Sequence, residues 1–193
     1  MLVQSYSSLL SLPAKCKLIP MVENRMQFVH ALDSTGIGAI FLRHCSLFEV
    51  SSLLERAHQR GLAVYVNVDH IDGVHPDAAG MRYLVEQLHV TGIISNHTRI
   101  LAQGKDFGLE TVQRIFAVDS TGLEMALDSM DEQYIDVLDI SPALVVPHVV
   151  PYLSAPLPLP FIASGLISTT RQVEAVLKCG ALGVAVSRPE LWA

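Results

Sequence analysis

Short apolar runs alternate with longer segments whose apolar residues recur at helical spacing, from about residue 17 to the end of the chain. Lys17-Leu18-Ile19-Pro20 predicts a first strand, and residues 24–32 a helix carrying Met26, Phe28, Val29 and Leu32. Gly38-Ala39-Ile40-Phe41-Leu42 is a second strand. Ser46-Leu47-Phe48-Glu49 has capping-box spacing, and Leu47, Val50, Leu53, Leu54 and Ala57 give the helix after it one apolar face, stopped by Gly61. A third strand spans 63–69, β-branched and aromatic. A polar loop from His70 to His75 follows, then a helix with Pro76 at its start and Tyr83, Leu84 and Leu88 as apolar contacts.

The same alternation continues. Gly92-Ile93-Ile94-Ser95 is a fourth strand, followed by a helix over 98–105, and residues 110–118 hold the fifth. Thr121-Gly122-Leu123-Glu124 predicts a second capping box, opening a helix faced by Leu123, Ala126, Leu127 and Met130. Residues 135–140 form the sixth strand. Residues 144–153 are a helix interrupted by Pro147 and ended by Pro151. The proline-rich stretch 156–160 is a tight connection into a seventh strand ending at Ser164-Gly165. After one more helix, an eighth strand ends at Ser187.

Regular β-then-α alternation implies a parallel sheet with helices outside it, and eight repeats favour closure over a doubly wound open sheet. The fold class is α/β, a compact (β/α)8 TIM barrel. One domain is expected over 1–193, with residues 1–16 as an N-terminal extension and 17–193 as the barrel. Such barrels usually run to about 250 residues, so the loops here are short.

Composition narrows the function classes. Half of the 193 residues are hydrophobic, enough for one well-packed domain. The formal net charge is −6, and no basic run stands out. An acidic surface repels polyanions at long range, so nucleic-acid binding needs a local basic patch. Cys16, Cys45 and Cys179 are far apart, form no CxxC and read as buried thiols in a reducing compartment. No stretch is apolar enough to span a membrane, and residues 1–12 lack the basic start of a signal peptide. A cytoplasmic protein with no membrane partner is expected.

In a barrel of this kind, ligands meet the C-terminal ends of the strands. The polar residues there are Pro20 and Glu23, Arg43 and His44, Asn67 and Asp69, Ser95 and Asn96, Gln113 and Arg114, Asp139, Ser164 and Gly165, and Ser187 and Arg188. Ser164, Gly165 and Ser187 end the last two strands, where barrels often hold a phosphate. Gly165 has no Cβ to keep an anion away, and the helix after it offers N–H donors and a positive dipole end. Ser168, Thr169 and Thr170 stand where N-caps are expected, and at least one of them serves as one. Asp69 and Asp139 end apolar strands, either as acceptors for ligand hydroxyls or as partners of a neighbouring arginine such as Arg114. Two acids also suit general acid–base chemistry. His70 and His75 lack metal-ligand spacing, so no metal is expected, and no residue is assigned as catalytic.

Taken in order, these strand ends resemble the glycerol uptake operon antiterminator family. The resemblance is carried by Val68-Asp69 with Ile71 and Gly73, then Gly92-Ile93-Ile94-Ser95, Gly108-Leu109 and Gln113-Arg114-Ile115-Phe116. It continues through Asp119-Ser120, Ile140-Ser141-Pro142, Val146-Pro147-His148, Ile162-Ala163-Ser164-Gly165-Leu166-Ile167, Gly180-Ala181 and Leu191-Trp192. It implies a regulator rather than an enzyme. Glycerol 3-phosphate would be its effector, with no other cofactor, and leader mRNA its target in the antitermination of glycerol-metabolism genes. It also implies roles. Gly165 and Ser187 would help hold the phosphate. Asp69 and Asp139 would face the glycerol moiety, with Gln113 and Arg114 alongside. The chain departs from the family pattern at Ala143 and Ser164, where glycine is common. It departs also at Ala185 and Val186, where threonines are common, and at His97, where a basic residue is usual. Two alternatives stay open: an enzyme on a small phosphorylated metabolite, and a ligand sensor without RNA binding. A homo-oligomer is compatible with each.

Overall fold

A computed structural model describes residues 8–44 and 46–192; Cys45 and the side chain of Val50 lie outside the described residues. Eight parallel strands close into a barrel: β1 (Leu18–Val22), β2 (Ala39–Leu42), β3 (Ala63–Asn67), β4 (Gly92–Ser95), β5 (Glu110–Phe116), β6 (Val137–Ser141), β7 (Phe161–Ser164) and β8 (Val184–Val186). They pair in chain order, and β8 returns to β1 with Ile19 opposite Ala185 and Pro20 opposite Val186. Alternate residues go to opposite faces of each strand. Ile19, Met21, Phe41, Tyr65, Ile94, Val112, Val137, Ile162 and Ala185 fill the barrel interior as one cluster. Their neighbours Val22, Leu42, Val64, Val66, Ile93, Leu138, Ile140 and Val184 pack under the helices as another. Burial on both faces is why these strands read as continuous apolar runs.

The helices are α1 (Arg25–Asp33), α2 (Leu47–Gln59), α3 (Ala78–Glu86), α4 (Thr98–Asp106), α5 (Ser120–Asp128), the single turn α6 (Val146–Val149) and α7 (Thr170–Lys178). Several starts differ from expectation. Ser46 occupies the N-cap of α2 but makes no side-chain cap bond. It bridges to Asp72 instead, where the Leu47 N–H donates to the Asp72 carbonyl at 2.9 Å. The box expected at Thr121 does not form either, because Asp119 caps α5 and accepts from the Gly122 N–H at 2.7 Å. Asp77, not Pro76, begins α3, accepting from the Gly80 N–H at 2.9 Å. In each of the last two, a carboxylate is the stronger acceptor for the free donors of the first turn. Tyr83 is exposed rather than a core contact. Residues 143–152 break into short turns around α6, since Pro147 and Pro151 supply no N–H.

Segments near both ends of the described residues pack against the barrel. Leu9 and Leu12 are buried in the interior cluster at the end where the strands begin. There the Leu9 N–H donates to the Tyr65 hydroxyl at 3.0 Å, and Ser8 Oγ donates to the Glu110 carboxylate at 2.5 Å. After β8, the described chain makes one turn (Pro189–Leu191) in place of an eighth helix. Trp192 then caps the barrel wall, its Nε1–H donating to the Val186 carbonyl at 2.8 Å and its ring meeting His30 edge-on. Cys16 is buried and Cys179 half-buried, and both are free thiols. Among the described residues, no helix is long and apolar enough to cross a membrane.

Candidate functional site

With the opposite end plugged, the open end is the mouth where the strands finish. A cavity of about 300 Å³ lies there, lined by Met21, Arg43, Ser141, Pro142, Gly165, Leu166, Ile167, Ala185, Val186 and Ser187. It spans the closure of the barrel, from β6 across β7, β8 and β1 to β2.

The floor begins with β7. Gly165 has φ +92° and Leu166 φ +58°, two successive left-handed residues. A Cβ on Gly165 would sit 3.2 Å from Ser141 Oγ and 3.6 Å from Pro142 Cα, so glycine is what lets this turn pass close to the end of β6. Among the described residues, the N–H groups of Leu166 and Ile167 meet no protein acceptor. Successive N–H groups in such a turn make an anion-binding concavity. The start of α7 contributes less than expected. Thr169 caps it in a box with Gln172, whose Oε1 accepts from the N–H groups of Ser168 (2.8 Å) and Thr169 (3.1 Å). Those donors are spent within the helix start, which leaves the Gly165 turn and the exposed Ser187 as the elements that meet the cavity from this side.

Beneath the cavity lies a buried polar cluster. Arg114 Nε donates to Asp139 Oδ2 at 2.8 Å, and Ser164 Oγ donates to the same oxygen at 3.0 Å. The arginine and aspartate side chains are 4% and 0% exposed. Asp139 Oδ1 is buried with no partner. Asp139 and Ser141 share the inward face of β6, two residues apart, so the cluster is the layer directly below the cavity.

Arg43 enters from β2. Its Nη1 lies 3.8 Å from Met21 Sδ, and its Nε is buried without a partner. Burial, then the charge of Arg114, pulls its pKa below the ordinary arginine value, while Glu23 and Asp139 push it back up. A partly desolvated cation facing a cavity is a ready partner for an anion.

The other residues read from the sequence form the opposite arc of the mouth. Asp69 accepts from Ser95 Oγ and from the Asn96 N–H, both at 2.7 Å, and pairs with no arginine among the described residues. Gln113 alternates with the inward Val112 and Arg114, so it faces outward. Its Nε2 donates to the Asn96 carbonyl at 2.9 Å, and its Oε1 accepts from Thr98 Oγ1. Both residues brace the loop after β4. Next to Arg43, the His44 N–H donates to the His70 carbonyl at 2.8 Å and the two rings pack 4.8 Å apart. Burial, His44 and Arg43 together lower the His70 pKa, against a smaller opposite push from Asp69. Among the described residues, no group of three or more His, Cys, Asp or Glu is placed to hold a metal.

Residues 18–192 match the sequence model of the family described as glycerol-3-phosphate responsive antiterminator. The chain belongs to that family. A crystal structure of a glycerol uptake operon antiterminator regulatory protein from Listeria monocytogenes superposes with a TM-score of 0.78 at 23% identity, covering 93% of this chain and 96% of that one. A glycerol uptake operon antiterminator-related protein from Thermotoga maritima gives 0.76 at 22% identity, covering 92% and 98%. An uncharacterized Escherichia coli protein, YgcP, is 21% identical over 186 residues, 95% of each chain. At these identities the two solved structures show the shared barrel and no more.

The positions read as departures have a physical setting here. Ser164 supplies a hydroxyl that holds Asp139. Ala185 and Val186 line the cavity without offering a hydroxyl. His97 is exposed at the N-cap of α4 and makes no side-chain cap bond. Of the residues assigned from sequence, Gly165 and Ser187 line the cavity, Arg114, Asp139 and Ser164 form the buried cluster beneath it, and the structure adds Arg43 to the lining. Arg43 stood among the strand ends but not among the assigned site residues. The signal for it was a charged residue at the inward register of β2, two places after Phe41.

Proposed function

We propose that this chain is a ligand-responsive regulator whose effector is glycerol 3-phosphate or a close phosphorylated relative. In its liganded state it would act on leader mRNA, preventing premature termination ahead of glycerol-use genes. The observation that carries the ligand half is the cavity at the ends of β7 and β8. There an unpaired arginine, free backbone N–H groups and a glycine turn converge. Family membership supports the RNA half.

A second reading has its own observation. Met26, Phe48, Phe116, Val118, Leu144 and Leu166 are exposed, and all lie in or just after the strand ends at the mouth. With a net charge of −6, this apolar rim favours a sensor that signals through a protein partner rather than RNA.

The test is thermal melting against glycerol 3-phosphate, glycerol and inorganic phosphate. An effector at about 100 times its Kd adds roughly 2.7 kcal/mol, or about 5–10 °C for a chain of this size. No shift with any phosphorylated ligand rejects the reading. A mobility shift of leader RNA that strengthens with effector and weakens steeply with salt supports antitermination. Ligand binding without RNA binding supports the protein-partner reading, and turnover of the ligand would point to an enzyme.

A further inference from the structure

We infer that residues 8–12 are a proton-gated latch over the end of the barrel where the strands begin, seated while Glu110 carries its proton and released as that carboxyl ionises. The latch opens on its own, with the eight strands still in place.

The barrel side provides a shaped seat. Leu9 and Leu12 are buried among the interior residues. Two glycines keep room for the arrangement. A Cβ on Gly38 would lie 2.8 Å from Leu12 Cδ2, and one on Gly92 would lie 2.6 Å from the Tyr65 ring. Among the described residues, two hydrogen bonds fasten the segment to the strands. The Leu9 N–H donates to the Tyr65 hydroxyl at 3.0 Å, and Ser8 Oγ donates to Glu110 Oε2 at 2.5 Å.

Glu110 is the weak point of this seat. Its Oε1 is buried with no hydrogen-bond partner. A neutral carboxyl tolerates an unpaired oxygen at modest cost, whereas ionisation places charge on an atom that water cannot reach. The groups facing it come from each neighbouring element. Ser8 of the latch and Tyr65 of β3 offer hydroxyls, and Gly92 of β4 carries no charge. Asp136, just before β6, adds a second negative charge, whose own partner is Lys105 of α4. Burial holds the Glu110 carboxyl above its ordinary value; the Ser8 and Tyr65 hydroxyls pull it back, and Asp136 pushes it further up.

Lifting residues 8–12 away lets water reach both oxygens, so the released state binds this proton less tightly than the seated one. Closure therefore weakens by up to about tenfold per pH unit above the ordinary value, and levels off once the seated carboxyl has itself ionised. The apolar hold of Leu9 and Leu12 does not change with pH. Those two residues set the strength of the latch, and Glu110 sets its pH response.

The test is hydrogen–deuterium exchange of the full chain from about pH 4 to pH 8, each rate corrected for the pH dependence of chemical exchange. Protection of residues 8–12 should fall above pH 4.5 while the amides of β6 and β8 keep theirs. Glu110→Gln keeps the shape and stays neutral, and should hold protection level across the range. Leu9→Ala should lower protection about thirtyfold or more at every pH and keep the wild-type slope. Level protection of residues 8–12 in the wild-type protein overturns the latch. Loss in step with the strands overturns it too, since this end would then open only with the whole barrel. A wild-type slope retained in Glu110→Gln overturns the role of Glu110. Should that variant fail to fold, the wild-type profile decides.

Discussion

Replacing Arg114 with methionine tests whether the buried cluster under the cavity is a single energetic unit. Both partners of the Arg114–Asp139 pair are shielded from water, at 4% and 0% exposure. Methionine fills much of the volume but removes the cation, leaving the Asp139 carboxylate with the Ser164 hydroxyl as its remaining donor. Breaking a buried pair from one side typically costs about 3–5 kcal/mol, because a charge is left uncompensated. One effect opposes this. Arg114 repels Arg43, and its removal relieves that strain while leaving Arg43 within electrostatic reach of Asp139. The expected net loss is therefore near the lower end, about 3 kcal/mol. In a chain of this size that is a fall in Tm of roughly 6–12 °C.

The double variant Arg114→Met/Asp139→Leu separates pairing from packing. Replacing both charges with apolar groups of similar volume is often neutral. The double variant should therefore recover most of the loss, with a coupling energy of about 2 kcal/mol or more in the double-mutant cycle. Urea denaturation gives the free energies, and unchanged m-values confirm that the midpoints report stability. A single variant within about 1 kcal/mol of wild type would refute the claim that Asp139 depends on Arg114. A double variant as unstable as the single would show that shape, not charge, holds this layer together.

Gly165→Ala should cost about 1–2 kcal/mol from its φ of +92° and weaken phosphorylated ligands as the turn shifts against Ser141, read by denaturation and calorimetry. Unchanged affinity would remove that turn from the site. Leu9→Ala, at a fully buried position in the plug, should cost about 2–5 kcal/mol while leaving ligand affinity intact, since the plug and the cavity are at opposite ends. Glu110→Gln addresses pH. Burial raises the Glu110 pKa above its ordinary 4.5, so the folded state binds this proton more tightly than the unfolded chain. Its favourable contribution is whole below 4.5 and is lost as pH rises through the folded value. The variant should flatten that decline, seen in urea midpoints measured from about pH 4 to pH 8, and be more stable than wild type at the upper end. A slope unchanged by the substitution would assign the pH dependence to other groups.

Much of the barrel was legible because its strands are buried on both faces, and continuous apolar runs survive in a single sequence without knowledge of partners. Helix starts were harder. Ser46 and Glu49 have the spacing of a capping box, but the third strand's loop reaches Ser46 first through Asp72. Thr121 and Glu124 lose to Asp119, two residues upstream, which can reach the same free donors. Both are contests among nearby acceptors, and spacing alone does not rank them. Asp69 and Asp139 occupy the same kind of position and look alike in sequence. Only tertiary structure separates a carboxylate with both oxygens paired from one with an oxygen free.

Arg43 shows most clearly what a linear reading misses. Gly165 and Ser187 are close in sequence to one another and to the end of the chain, whereas Arg43 lies more than a hundred residues earlier. They meet because β8 pairs with β1 and β1 with β2, and that closure turns the first and last strands into neighbours. The same closure gives the arginine its chemistry. On an open sheet, a cation at the end of an edge strand would be solvated and would satisfy its own donors with water. At the closed mouth it is partly desolvated, set within electrostatic reach of a second arginine and left with a buried, unpaired Nε. Asp139 follows the same logic with the opposite sign. Barrel closure thus sets a cation into the lining of the cavity and a buried carboxylate in the layer beneath it, and neither neighbourhood is visible along the linear chain.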